Sequence, residues 1–268
     1  MIRHNLTTYE LDCIRFYMGD PEIVERGDFI GGPKAYNTIN ALLHNGITNE
    51  LDKISEGKPI EILNVSHLRQ TVSLIKAIDS AMNKLVSLPS TSPLITYRAD
   101  RISEIEAIKE THKIEGFYST CKYGFLPEYA NTKQNVLLLE IQRDSNVPFL
   151  DFELLFQDLY AKPQESEILL PFDTIVKSIK QQPLTEEENK LYHDMHGNKP
   201  CAKYRIILEK RKFESTFHNT IPFDKLTSQE NASRISHCLQ TLTRYQTLNP
   251  NDLEFYLNWK TQLKSLLL

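Results

Sequence analysis

The pattern of apolar and polar positions changes character near residue 90 of this chain of 268 residues. Before that point, "GGPKAYNTINALLHNG" predicts a helix, with Pro33 at its first position and Gly46 as its stop signal. Its predicted buried face consists of Tyr36, Ile39, Leu42 and Leu43. The earlier stretch "LTTYELDCIRFYM" alternates poorly, and a short helix is one interpretation of it.

A second helix is predicted from about residue 66 to residue 88, because its apolar positions keep close to a period of 3.6 residues. These positions are Leu68, Val72, Ile75, Ala81, Met82 and Leu85. The segment "SLPSTSP" then interrupts the pattern with two prolines. We therefore expect a helical first part that ends near residue 90.

Beyond residue 90 the apolar runs become short and rich in β-branched and aromatic residues, which is typical of strands. The predicted strands are "LITYRAD", "IEGFYSTCKYG", "NVLLLEIQR", "SEILLPF", "DTIVKSIKQQ" and "AKYRIILEKRKF". Helices followed by strands indicate an α+β fold. Helical spacing returns after a candidate boundary at residues 218–226, where Thr227 and Glu230 have the spacing of a capping box.

Composition excludes several classes of protein. With 31 basic and 35 acidic residues, the net charge of −4 argues against nucleic acid as a partner. No apolar run approaches the ~20 residues of a membrane span, and the N-terminus has no secretory signal pattern. The four cysteines form no CxxC motif, which favours free thiols in a reducing compartment. We expect a cytoplasmic protein, or one delivered into a host cytosol without an N-terminal signal peptide.

Two carboxylates, Glu165 and Glu167, precede the apolar run 168–170. In a strand, residues two apart point to the same side. By itself, such a pair is more typical of a solvated strand end, with Ser166 turned inward, than of a catalytic site.

Two other stretches change this interpretation. Arg98 follows an aromatic residue in a predicted strand, where a guanidinium serves either as a surface charge or as an anchor for a phosphate or pyrophosphate. Ser119 and Thr120 follow Phe117 and Tyr118. Small hydroxyls beside aromatic rings suit a pocket that stacks a flat ring and binds a ribose, although an ordinary strand can carry them too.

Taken in order, these motifs resemble the arginine–serine–glutamate clade of ADP-ribosyltransferases, the family of the binary actin-modifying toxins and related bacterial effectors. Arg98 matches the family's arginine, Ser119 and Thr120 match the start of its Ser-Thr-Ser motif, and Glu165 and Glu167 match its Glu-x-Glu. The resemblance covers roughly residues 25–215.

The chain departs from the family pattern at two positions. Cys121 stands where the family has the third residue of Ser-Thr-Ser, and Ala99 follows the arginine where the family often has glycine. The family implies that the first serine makes the ribose contact and that the backbone after the arginine binds the nicotinamide amide. We therefore expect both departures to be tolerated.

The resemblance implies a fold in which N-terminal helices precede two packed, mainly antiparallel β-sheets around an NAD cleft. The catalytic domain would span residues 1–220, with its helical part at about 1–90 and its β core at about 91–220. Residues 221–268 would form a C-terminal helical extension. This extension pads the core, binds a partner, or contacts a secretion machinery; the sequence leaves these alternatives open.

The implied reaction is mono-ADP-ribosylation of a target protein, with NAD as substrate and no metal. Glu167 would accept a hydrogen bond from the nicotinamide ribose and stabilise an oxocarbenium-like transition state. Glu165 would help to deprotonate or orient the acceptor. In the family a glutamate at this first position accompanies arginine as acceptor, so we expect modification of an arginine side chain.

The resemblance also assigns the remaining site residues. Arg98 and Ala99 would bind the cofactor beside the pyrophosphate and the nicotinamide amide, and Ser119 with Thr120 would serve the ribose. The rings that would stack on nicotinamide are Tyr123, Phe125 and Tyr129, and Tyr160 would face the protein substrate. Two alternatives to the transferase remain at this point: an NAD glycohydrolase with water as acceptor, and a catalytically silent module that binds partners through its C-terminal helices.

Overall fold

The computed structural model describes residues 5–43, 65–85, 94–124, 136–156, 166–190 and 201–209. The chain divides into two compact units, one of residues 1–6 with 79–212 and one of residues 7–78 with 213–268. The predicted C-terminal extension, 221–268, lies outside the described residues. The expected domain boundary near residue 220 therefore stays a prediction.

The unit that begins at residue 7 is helical in its described part. Its helices are α1 (Thr8–Tyr17), α2 (Pro21–Arg26), α3 (residues 35–43) and the first part of α4 (Val65–Leu85). Helix α1 begins with a capping box, in which Thr7 Oγ1 accepts from the amide of Glu10 and the Glu10 carboxylate accepts from the amide of Thr7. The ambiguous first stretch is therefore a helix.

Helix α2 was not predicted from the sequence, although its signals are present. Asp20 caps its first turn by accepting from the amide of Glu22, and Pro21 occupies the first position. Gly27 ends the helix with φ of +70°. At six residues, the helix is too short for its apolar spacing to be recognised.

The buried face of α3 differs from the predicted one at its first turn. The helix begins at residue 35, and Ala35, Ile39 and Leu42 are buried. Tyr36, which we expected on this face, is 41% exposed. Helix α4 follows its predicted pattern, with Val72, Ile75, Ala81 and Met82 all buried.

The other unit contains a mixed sheet, which confirms the α+β class. Its strands are β1 (Ile95–Arg101), β2 (Lys113–Ile114), β3 (Tyr118–Cys121), β4 (Val136–Arg143), β5 (Leu150–Asp151), β6 (Glu167–Leu170), β7 (Thr174–Gln182) and β8 (Cys201–Glu209). Their spatial order is β2-β7-β8-β4-β1-β3-β6-β5. The β4–β8 pair is parallel, and the other described pairs are antiparallel.

Two packed sheets were expected, but the strands form one continuous hydrogen-bonded order. It has two arms, β2-β7-β8-β4-β1 and β3-β6-β5. The arms meet between β1 and β3, where Tyr97 lies opposite Cys121. Side chains of both arms nevertheless form a single apolar cluster. Its fully or nearly fully buried members include Ile105, Ile108, Tyr118, Leu137, Leu139, Ile141, Ile168, Leu170, Val176, Ile206 and Leu208. The joint between the arms therefore lies beside the common core.

Among the described residues of this unit, three helices accompany the strands: α5 (Ile102–Thr111), α6 (Phe152–Leu155) and α7 (residues 186–190). Helix α5 was not predicted, since it lies inside a region interpreted as strands. Ile105 and Ile108 pack into the common core, and their three-residue spacing is the signal that identifies it. Helix α5 follows β1 directly and so fixes the end of the strand that carries Arg98.

Candidate active site

The residues of the predicted Ser-Thr motif lie on alternate faces of strand β3. Tyr118 and Thr120 are buried, whereas Ser119 and Cys121 are half-buried. This alternation follows from the two-residue period of a strand. The Thr120 hydroxyl donates to the carbonyl of Ile168 at 3.1 Å, so it joins β3 to β6 in the interior.

The pairing of β3 with β6 brings Ser119 and Glu167 together. Cys121 lies opposite Glu167 and Ser119 lies opposite Leu169, which places Ser119 and Glu167 on one face as diagonal neighbours. Ser119 Oγ donates to Glu167 Oε1 at 2.5 Å. A hydroxyl that donates to a carboxylate fixes its direction, so the Glu167 carboxylate is oriented before any ligand arrives.

Arg98 reaches the same strand from β1. Its Nη1 donates to the carbonyl oxygen of Ser119 at 2.7 Å, and its Nε donates to Asp100 Oδ2 at 2.6 Å. The guanidinium carbon lies 4.1 Å from the centre of the Tyr118 ring, a distance suited to a cation–π contact. Arg98, Ser119 and Glu167 are thus linked in sequence by hydrogen bonds.

The guanidinium of Arg98 is charged in these surroundings. Burial by itself lowers the pKa of Arg98, but the adjacent Tyr118 hydroxyl and the Asp100 carboxylate raise it above the ordinary arginine value. The side chain remains 30% exposed. Sequence reasoning missed Asp100 and Tyr118 as partners of this arginine; an acidic residue two positions along the same strand was the available signal.

The backbone before Glu167 differs from the geometry assumed for the Glu-x-Glu pair. Strand β6 begins at Glu167, and Ser166 has φ of +36° in the left-handed region. The rule that places residues two apart on one side of a strand therefore does not apply across Ser166. A non-glycine residue there costs about 1–3 kcal/mol unless its surroundings impose the conformation. Ser166 is buried, as expected for its side chain.

The other predicted site residues have varied surroundings. Ala99 is buried in β1, so its methyl group is not accessible. Tyr123 is 78% exposed. Glu165, Phe125, Tyr129 and Tyr160 lie outside the described residues. Their predicted roles stay predictions.

The helical unit contains a separate cavity of about 390 Å³. Its lining includes Phe16, Gly31, Lys34, His67 and Thr71. Burial lowers the pKa of His67, which keeps this imidazole neutral near pH 7. The sequence-predicted site residues do not contribute to this lining.

No helix in the described part of the chain is long and apolar enough to cross a membrane. Those same residues contain no group of three or more histidine, cysteine, aspartate or glutamate side chains arranged to hold a metal ion.

Comparison with known proteins gives matches among solved structures alone. No family model matches the chain, and no curated protein matches it. Its structural neighbours are bacterial ADP-ribosyltransferase toxins. One is the ADP-ribosylating toxin BECa of a binary enterotoxin of C. perfringens, solved with NADH. The alignment covers 78% of this chain and 45% of BECa, at 15% identity and a TM-score of 0.44. The chain thus spans less than half of BECa.

Two other neighbours are similarly distant. The Salmonella SpvB ATR domain aligns over 75% of this chain and 99% of its own, with 18% identity and a TM-score of 0.39. Vis toxin, an ADP-ribosyltransferase from Vibrio splendidus, aligns over 79% of this chain and 86% of its own, with 15% identity and a TM-score of 0.32. At these scores, the likenesses do not assign an activity to the chain.

Proposed function

We propose that the protein is a mono-ADP-ribosyltransferase that transfers ADP-ribose from NAD to an arginine side chain of a target protein. One observation carries the proposal. Arg98 donates to the Ser119 carbonyl and Ser119 donates to the Glu167 carboxylate, so a cation, a hydroxyl and an oriented carboxylate from three strands form one linked group.

This group suits cleavage of the bond between ribose C1′ and the nicotinamide nitrogen. The bonding electrons leave with nicotinamide, which becomes neutral, and positive charge develops on the ribose. Glu167 supplies a fixed negative charge and a hydrogen-bond acceptor for a ribose hydroxyl. Because Ser119 already orients this carboxylate, little reorganisation is needed when the charge develops.

Arg98 has a second task in the proposed reaction. Its Nε and Nη1 donate to Asp100 and Ser119, and the side chain remains 30% exposed. A partly exposed, charged guanidinium of this kind suits a diphosphate oxygen of NAD. Arg98 would therefore hold both the substrate and the strand that carries Ser119.

The remaining assignments follow the sequence pattern. Glu165 would accept the proton released when an arginine nitrogen of the target attacks C1′. Ala99 would act through its backbone and Tyr123 or Phe125 through its ring. Because the hydroxyl of Thr120 is buried and committed to Ile168, we assign it support of the β3–β6 pair rather than a contact with NAD.

The test is transfer of labelled ADP-ribose from NAD to proteins of a cell lysate. Wild type is compared with Glu167→Gln, Arg98→Lys and Glu165→Gln. The matched control is Glu106→Gln, an exposed carboxylate on α5 that pairs with Lys109. We expect an arginine-linked adduct with wild type and Glu106→Gln, and a loss of at least about 100-fold in Glu167→Gln.

Three results would contradict parts of the proposal. Full transfer by Glu167→Gln would exclude the assigned role of the carboxylate. NAD cleavage by wild type without a protein adduct would indicate a glycohydrolase. The absence of NAD turnover in every lysate would favour a partner-binding module.

A further inference from the structure

Lys122 is a nearly buried cation at the end of β3, directly after the residue that lies opposite Glu167. Its side chain is 9% exposed, and its Nζ lies 2.8 Å from Asp151 Oδ2 and 2.9 Å from Glu153 Oε2. Lysine is seldom this buried unless it is paired. Burial by itself lowers the pKa of Lys122, but its hydrogen bonds to these two carboxylates raise it above the ordinary value, so the ammonium stays charged.

The backbone of Lys122 makes a second connection. Its amide donates to the carbonyl oxygen of Ser166 at 3.1 Å. This bond continues the β3–β6 ladder one step beyond the Cys121–Glu167 pair. It therefore holds Ser166, the buried residue with φ of +36° that immediately precedes Glu167.

Of the two carboxylates that contact Lys122, that of Asp151 is itself held in place. The side chain of Asp151 is 4% exposed, and its other oxygen, Oδ1, caps α6 by accepting from the amide of Leu154 at 3.0 Å. Asp151 lies opposite Ile168 in the β5–β6 pair. One lysine thus ties the end of β3, the start of α6 and the entry into β6 together.

We propose that Lys122 is a positioning residue. Its ammonium, anchored on Asp151 and Glu153, fixes the main-chain amide that holds Ser166, and the side chain thereby sets the location of the Glu167 carboxylate. The inference rests on the proposed function, because it assumes that Glu167 acts on NAD. The described contacts of the Lys122 ammonium are two carboxylates of the same chain, so we assign the lysine an effect through Glu167 and no contact with the substrate.

The test compares Lys122→Met, Lys122→Arg and a control variant at the start of β7, where β7 pairs with β2. There, Lys113 pairs with Asp173 at 2.7 Å, and Asp173 also has positive φ, +54°. Lys113→Met therefore removes a more exposed lysine–carboxylate pair beside a similar backbone conformation, away from Glu167. Each full-length variant is assayed for nicotinamide release, and hydrogen exchange is measured by mass spectrometry.

For Lys122→Met we expect kcat to fall about 10- to 100-fold, because small displacements of a catalytic group cost this much. The KM for NAD should stay within about twofold, since Lys122 is not assigned a substrate contact. Lys122→Arg should recover most of kcat, and Lys113→Met should keep kcat within about twofold. Amides of residues 118–122 and 166–170 should exchange faster in Lys122→Met and remain protected in Lys113→Met.

Wild-type kcat in Lys122→Met would overturn the inference. So would an equal loss of kcat in Lys113→Met, since this would indicate general destabilisation of the sheet. If wild type does not turn over NAD at all, the proposed function fails. The hydrogen-exchange data alone then test whether the Lys122 side chain holds Ser166 in place. Faster exchange confined to the two segments of Lys122→Met would support this role, and unchanged exchange would refute it.

Discussion

Replacement of Ser119 by alanine isolates the hydrogen bond that orients Glu167. It removes the 2.5 Å contact from Ser119 Oγ to the carboxylate and leaves the backbone carbonyl that accepts from Arg98. A hydrogen bond to a charged group contributes about 1.5–3 kcal/mol. Because each 1.4 kcal/mol corresponds to a factor of ten, the rate of NAD cleavage should fall about 10- to 150-fold.

The assay is the release of nicotinamide under saturating NAD, with stability measured in parallel by urea denaturation. Since Ser119 and Glu167 are both half-buried, water can replace the lost donor to the carboxylate, so the free energy of unfolding should fall by only about 1 kcal/mol. Water does not restore the direction of the carboxylate, on which the rate depends. A fall in kcat without a matching loss of stability would indicate that the hydroxyl acts on the reaction.

The adjacent hydroxyl provides the matched control. Thr120→Val removes the buried bond to the Ile168 carbonyl, on the opposite face of the same strand. We expect this variant to lose about 1–2 kcal/mol of stability and to keep kcat within about threefold of wild type. If Ser119→Ala retains full activity, or if both variants lose activity equally, the assignment of Ser119 is wrong.

Two further predictions concern stability. A Cβ at Gly19, where φ is +75°, would lie 2.4 Å from the Pro33 carbonyl oxygen, whereas Gly27 has φ of +70° and open space. Gly19→Ala should therefore destabilise by at least about 3 kcal/mol and Gly27→Ala by about 1 kcal/mol in urea denaturation; equal losses would contradict the steric argument. Burial raises the pKa of the Cys13 thiol to about 12, so the folded chain keeps this proton where the unfolded chain has lost it. The contribution of the protonated Cys13 thiol to the free energy of unfolding is therefore complete below about pH 9. It is lost as the pH rises toward 12, at up to about 1.4 kcal/mol per pH unit. Cys13→Ala should have a flatter stability profile between about pH 9 and 10, and an unchanged slope would count against the shift.

Three residues of the candidate group were predictable because they lie in short motifs that can be recognised along the sequence. Arg98, Ser119 and Glu167 were selected as residue types in short motifs, and the fold brings them into one hydrogen-bonded group. The surroundings of each residue were less predictable. Tyr118 neighbours Arg98 because β1 pairs with β3, and sequence patterns do not report which strands lie side by side. Asp100 lies two residues from Arg98 on the same strand, so for this partner the sequence did carry a signal.

Two expectations failed for identifiable physical reasons. Tyr36 falls on the apolar spacing of α3 but is exposed, because Ala35 takes the buried position in the first turn. Helix α5 was missed because its 10 residues lie between predicted strands, and the strand-like composition around it outweighed the spacing of its isoleucines.

The sequence by itself determined the α+β class, the six longer strand segments and the residue types available for catalysis, since these follow from periodicity and from side-chain chemistry. The two-residue strands β2 and β5 are too short for their pattern to be recognised. The tertiary structure decided which strand lies beside which. It joined two arms at the Tyr97–Cys121 pair, placed Ser119 diagonal to Glu167, and set Ser166 in a left-handed conformation with Lys122 bonded to it. These features depend on contacts between residues far apart in the chain, and local propensity carries no information about such contacts.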